Sequence, residues 1–207
     1  MKIAKTHSSA NNNDEVTRRK GHLFIVSAPS GAGKTTLCKA VLDRFQGILY
    51  SVSYTTRKPR INEKMGVDYH FITKEEFIKG IENGKWAEWA QVHGNFYGTS
   101  AEFINKGLST GRDILIDIDV QGTMQILKKH ADAVTFFIMP PSLEVLKKRL
   151  ESRGTEDADA IAKRIQTGKE EMAQKSVYLH VIVNDRLSEA ISELVSIIEN
   201  YRIPIRS

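Results

Sequence analysis

An apolar run, His22-Leu23-Phe24-Ile25-Val26-Ser27, stops abruptly at Ala28-Pro29-Ser30-Gly31-Ala32-Gly33-Lys34-Thr35-Thr36. The run has the length and β-branched character of a buried parallel strand. Residues 33–44 then space Leu37, Ala40 and Val41 along one face of a helix. A strand, a glycine loop and a helix in that order open a βα unit, with the loop at the strand's carboxyl end. The loop follows the G-x-x-x-x-G-K-[ST] pattern of a phosphate cradle, except that Ala28 stands for the first glycine. Gly31 and Gly33 let the backbone curl around an anion, and the helix beginning near Gly33 adds the positive end of its dipole. Lys34 can reach the β- and γ-phosphates of a nucleotide, and the Thr35 hydroxyl can ligate Mg²⁺. A turn alone needs neither the lysine nor the two hydroxyls.

The chain of 207 residues suits one compact domain with small inserts, and no apolar run is long enough to span a bilayer. Cys38 is the single cysteine, which excludes an intramolecular disulfide and a thiolate zinc cluster and fits a cytoplasmic protein. On the cradle's helix it reads as a small buried side chain. The net charge of +5 is unevenly spread: five Lys/Arg against Asp14 and Glu15 place +3 in residues 1–20, leaving +2 for residues 21–207. A nearly balanced body argues against a nucleic-acid-binding face. Residues 1–20 are polar and Asn/Ser-rich, as expected of a flexible tail.

Strands are predicted at 48–54, 67–72, 85–92 and 96–99, with a helix at 74–81 and a two-residue hairpin turn at Gly94-Asn95. This stretch looks like a small insert with antiparallel pairing. A βα rhythm then returns, with strands at 113–118, 134–139 and 179–183 and helices at 120–130, after the cap Ser142, at 156–174 and at 187–201. The fold class predicted is α/β: an open five-stranded parallel sheet flanked by helices, of the P-loop NTPase type. Its core comprises 21–50, 103–140 and 169–207, and a mixed or antiparallel insert occupies 51–102.

Two further segments carry chemistry. Ile114-Leu115-Ile116-Asp117-Ile118-Asp119 is an apolar strand running into two acids, either of which could support Mg²⁺ through water beside the cradle. Ser53-Tyr54-Thr55-Thr56-Arg57-Lys58-Pro59-Arg60 sets two guanidinium groups three residues apart, suited to a monophosphate dianion, with Tyr69 and Tyr97 as hydroxyl donors.

With these motifs the chain resembles the guanylate kinase family across residues 21–207. The resemblance rests on Ser27 to Thr35, Ser51 to Arg60, Gly66 to Phe71, Trp86-Ala87-Glu88, Asn95 to Thr99, Asp117 to Gly122 and Lys148 to Thr155. It implies ATP on Ala28 to Thr36, with Asn184 in a segment similar to the family's adenine side, and Mg²⁺ as cofactor. It implies GMP as acceptor, its phosphate held by Arg57, Arg60, Tyr69 and Tyr97, and its guanine surrounded by Ser53, Glu88, Thr99 and Asp119. A mobile lid over 141–168 would bring Arg149, Arg153 and Arg164 to the ATP phosphates, making these, with Lys34 and Arg57, the expected catalytic set. Guanine chemistry agrees, since its N1–H and N2–H₂ donors suit a carboxylate and its O6 and N7 accept from hydroxyls. Competing expectations are a kinase for another phosphorylated acceptor, a non-catalytic peptide-binding module on the same scaffold, and a nucleic-acid-binding P-loop protein. No motif separates a monomer from a homo-oligomer.

Overall fold

The computed structural model of the protein describes residues 20–92, 94–152 and 158–203. The tail expected over 1–20 lies outside the described residues apart from Lys20, as do Arg153 and the neighbouring part of the expected lid. Five parallel strands form the central sheet in the order β2 (Leu49–Tyr50), β7 (Ile114–Asp117), β1 (Leu23–Ser27), β8 (Val134–Met139) and β9 (His180–Val183). In chain order these are the second, third, first, fourth and fifth core strands, so the direction of winding reverses at β1. Ligands bind doubly wound sheets at such a switch point, beyond the strands' carboxyl ends.

Every residue of β1 is buried, which accounts for its uninterrupted apolar sequence. Alternation still sorts the faces. Phe24 and Val26 pack with Leu37 and Val41 of α1 (Lys34–Arg44) and with Leu194 and Ile198 of α7 (Leu187–Arg202). Leu23 and Ile25 pack with Ile104 of α3 (Ala101–Ser109) and Ile126 of α4 (Val120–Leu127). Asp113, 4% exposed, ties the ends of the chain together: it accepts from the His22 N–H at 2.9 Å and from Arg202 Nε at 2.7 Å. Asp113→Ala should lower unfolding stability by about 2–3 kcal/mol, because an N–H and a guanidinium lose their shared acceptor. A urea titration reads this directly.

A second sheet, ordered β4 (His70–Phe71), β3 (Tyr54–Thr55), β6 (Asn95–Ser100), β5 (Trp86–Val92), contains one parallel pair and two antiparallel ones. α2 (Lys74–Glu82) flanks it, opened by a capping box of Thr73 and Glu76. Several expected boundaries change. The single strand expected at 48–54 is two strands in different sheets, joined by Ser51 to Ser53, so the crossing between sheets occurs inside one apolar run. The strand expected at 67–72 shrinks to His70–Phe71, because Asp68 accepts from the Lys64 N–H at 2.7 Å and Gly66 has φ 74°, holding a turn. Val92 pairs with Asn95, so Asn95 belongs to β6 and not to the turn. α3 escaped the periodicity reading, although Ser100 caps it and Ile104, Gly107 and Leu108 form its buried face. Its glycine is required by contact: a Cβ on Gly107 would lie 2.6 Å from Ile114 Cδ1. α5 (Leu143–Glu151) begins at the expected cap, with Ser142 accepting from the Val145 N–H, and α6 (Ala158–Ala173) follows.

Candidate active site

The loop between β1 and α1 sits at the switch point, beside the carboxyl ends of β7 and β8. Gly31 and Gly33 have φ of 93° and 98°, which L side chains rarely adopt, so both glycines are conformational requirements. Gly33 also caps α1 without a side chain, which leaves the first-turn amides facing the loop's concavity. Ala32 donates its N–H to the Pro29 carbonyl at 3.0 Å, closing the turn. Asn184, expected near adenine, is 4% exposed and supports this loop, donating Nδ2–H to the Ala32 carbonyl at 2.8 Å. A Cβ on Gly33 would fall 2.4 Å from that nitrogen. Gly33→Ala should therefore reduce ATP affinity at least tenfold, since one substitution strains the backbone and displaces the side chain that supports the loop. Titration with a fluorescent ATP analogue checks this.

Lys34 Nζ lies 3.1 Å from Asp117 Oδ2 at the end of β7, and the Tyr50 hydroxyl donates to the other Asp117 oxygen. Burial works against the ammonium charge, but Asp117, with smaller contributions from Cys38 and Tyr69, raises the Lys34 pKa overall. Thr35 and Asp117 both line a cleft of about 420 Å³ with Lys34. Asp119 serves a different end. It caps α4, accepting from the Gly122 N–H at 2.7 Å, and faces the second sheet. Cys38 is 3% exposed and burial pushes its thiol far up, as suits a packing residue.

A second cleft of about 260 Å³ joins the two sheets, lined by Lys34, Ser53, Tyr69, Glu88, Tyr97 and Asp119 among others. Glu88 is 6% exposed on β5 and accepts from Thr99 Oγ1 at 2.5 Å. Its other oxygen lies against α4, where a Cβ on Gly122 would be 2.8 Å away. Burial, with a contribution from Asp119, raises the Glu88 pKa to about 7 despite the bond from Thr99. Tyr69 and Tyr97 meet edge to face, with ring centroids 6.0 Å apart.

Two residues of the expected phosphate clamp, Arg57 and Arg60, both meet Glu63. Arg57 is engaged by Glu63 through two parallel bonds, Nη1–Oε2 at 2.9 Å and Nη2–Oε1 at 2.8 Å, and its guanidinium lies 5.4 Å from the centre of the Tyr69 ring. Glu63 also accepts from the Arg60 backbone N–H at 2.8 Å, while the Arg60 side chain is exposed. Hydrogen bonding to Arg57 holds the Glu63 carboxyl below its usual range. Of the expected lid arginines, Arg164 donates to Ser30 Oγ at 2.9 Å and Arg149 to the Asn184 carbonyl at 2.9 Å. Both therefore touch the cradle or its support. Sequence reasoning overlooked Glu63, Tyr50 and Gly122. Glu63 sits in an irregular loop where no period marks it, and Tyr50 hides among the apolar residues of a strand.

A glycine cradle at the switch point of a five-stranded parallel sheet, its lysine paired to an acid on the adjacent strand, defines the P-loop NTPase class. Comparison with known proteins narrows this. The profile of the family described as guanylate kinase matches residues 20–201. The chain is 46% identical over 181 residues to a guanylate kinase of Geobacter metallireducens, covering 87% of this chain and 89% of that protein. It is 41% identical over 186 residues to a guanylate kinase of Thermotoga maritima, covering 90% of each. A crystal structure of guanylate kinase from Anaplasma phagocytophilum superposes with a TM-score of 0.72 at 30% identity, covering 90% of this chain and 88% of that one. The chain belongs to the guanylate kinase family.

Proposed function

We propose that this chain transfers the γ-phosphoryl group of ATP to GMP, and to dGMP, forming the diphosphate and ADP. The observation that carries the assignment is the cleft in which buried Glu88 and cradle lysine Lys34 face one cavity. A base-reading carboxylate and a phosphate-binding cation lining one small cleft fit a nucleoside monophosphate held there. Ionised Glu88 accepts from guanine N1–H and N2–H₂, Ser53 and Thr99 offer hydroxyls to the base, and Asp119 lines the same cleft. Adenine presents an acceptor at N1 and would leave the carboxylate unpaired.

ATP is held along the loop from Ala28 to Thr36. Tyr69, Tyr97, Arg57 and Arg60 hold the acceptor phosphate, which takes over the place at the Arg57 fork that Glu63 occupies here. Thr35 and Asp117, a hydroxyl and a carboxylate lining one cleft, are hard oxygen donors that would suit Mg²⁺. Bound there, Mg²⁺ would supply positive charge that offsets the charge of the triphosphate. Phosphoryl transfer needs alignment and charge neutralisation more than covalent help, and the attacking phosphate oxygen is already ionised at neutral pH. Lys34 neutralises the transferring group, with Arg149, Arg153 and Arg164 of the lid over 141–168. Closure of the insert over 51–102 excludes water and limits ATP hydrolysis. No helix among the described residues is long and apolar enough to cross a membrane, and we place the reaction in the cytosol, where its substrates are found.

A coupled assay of ADP release with GMP, AMP, UMP and CMP tests the assignment. GMP should exceed each of the others by at least 100-fold in kcat/KM, the scale set by leaving a charged buried acceptor unpaired. Equal turnover of GMP and AMP would overturn it.

A further inference from the structure

We infer that Gln125 on α4 is a positioning residue for base selectivity, setting the aim of Glu88 by holding the backbone of its neighbour Trp89. The inference rests on the proposed function above, and on three features of β5. First, β5 is the edge strand of the second sheet, with β6 on one side only. Second, its register slips just before Glu88: Trp86 pairs with Ser100 and Glu88 with Thr99, so Ala87 is an extra residue. Such a bulge re-aims the side chains around it and interrupts the ladder that would otherwise fix them. Third, the open edge immediately after the bulge is filled by one side-chain amide. Gln125 Oε1 accepts from the Trp89 N–H at 3.2 Å, and Gln125 Nε2 donates to the Trp89 carbonyl at 2.9 Å.

A primary amide has the donor and acceptor needed to replace a strand partner at one residue. Gln125 therefore supplies β5 with the partner it lacks, at the position next to Glu88. The same helix contacts the carboxylate itself. Asp119, Gly122 and Gln125 recur every three residues along α4, and the oxygen of Glu88 occupies space that a side chain at 122 would take. Asp119 faces the base cleft, Gly122 makes room for the carboxylate, and Gln125 fixes the strand that carries it. The base reader is thus referenced to the nucleotide-binding core although its strand belongs to the second sheet.

Gln125→Met keeps the length and bulk of the side chain and removes both hydrogen bonds; Gln125→Glu keeps the acceptor for the Trp89 N–H but faces the carbonyl with an oxygen. The measurement is steady-state kinetics with GMP and AMP as acceptors, alongside thermal melts. For Gln125→Met, KM for GMP should rise about tenfold and the GMP-over-AMP ratio should fall about tenfold, the scale of two lost hydrogen bonds, with KM for ATP within about twofold of wild type. Gln125→Glu should lower the ratio in the same direction, because one bond is lost and two oxygens then face each other. An unchanged GMP-over-AMP ratio in both variants would overturn the inference. Parallel losses toward GMP and ATP with a lowered Tm would also overturn it, because they mark general damage rather than aim. Glu88→Gln separates the two levels: if it keeps wild-type selectivity the proposed base recognition fails, whereas its loss beside an unaffected Gln125→Met removes only Gln125.

Discussion

Lys34→Ala is expected to lower kcat by about 10²–10³-fold, the loss seen when one preorganised group facing a transition-state charge is removed. The magnitude follows from where Lys34 sits. Its ammonium is fixed by Asp117 at 3.1 Å, so it enters the reaction already oriented. A flexible surface lysine would pay for that orientation at each turnover. The same substitution leaves Asp117 with the Tyr50 hydroxyl as partner, which limits damage to the fold. Circular dichroism and melting should therefore stay close to wild type while single-turnover phosphoryl transfer collapses. A kcat equal to wild type would remove Lys34 from the chemistry.

Glu88→Gln should lower kcat/KM for GMP by about 100-fold, since guanine's paired donors lose one anionic acceptor and meet an amide N–H₂. The variant should also be more stable without ligand. Burial raises the Glu88 pKa to about 7, so ionising it at higher pH works against the folded state. From the ordinary carboxylate range up to about 7, the folded protein retains a proton that the unfolded chain has released. The contribution of Glu88 to stability therefore falls as pH rises through that window. Relative to wild type, Glu88→Gln should gain stability progressively between pH 5 and 8, by roughly 1–3 kcal/mol at the upper end. Urea titrations at both pH values test this, and an identical difference at pH 5 and pH 8 would contradict it. On the proposed reading, selectivity and stability oppose each other at Glu88, whose buried charge is costly until a guanine donor pair meets it.

Much of this site is visible in local sequence because its chemistry is local. The cradle from Ala28 to Thr36 is one contiguous turn, and its geometry follows from the positive φ values only glycine adopts readily. The five core strands follow from apolar runs and helical periods, which depend on each element's own burial. Glu88 is otherwise. On β5 it is indistinguishable from an exposed strand carboxylate, and only the approach of Thr99 and of Gly122 encloses it. Arg57 and Arg60 are three residues apart in sequence and could be paired on paper. Yet Glu63 takes the Arg57 fork, an outcome of loop geometry that no period encodes. The two acids after β7 diverge for a similar reason. Asp117 ends the strand beside Lys34, while Asp119, two residues on, caps α4 and faces the other cleft.

The sequence alone determined the class of fold, the phosphate cradle and, through its family resemblance, the identity of the acceptor, because hydrophobic period and glycine conformation act over a few residues. Tertiary structure decided which carboxylate is buried, which arginine is already engaged and which helix lies against that carboxylate. Those properties depend on desolvation and on contacts between residues far apart in the chain, and such contacts exist only once the two sheets are packed.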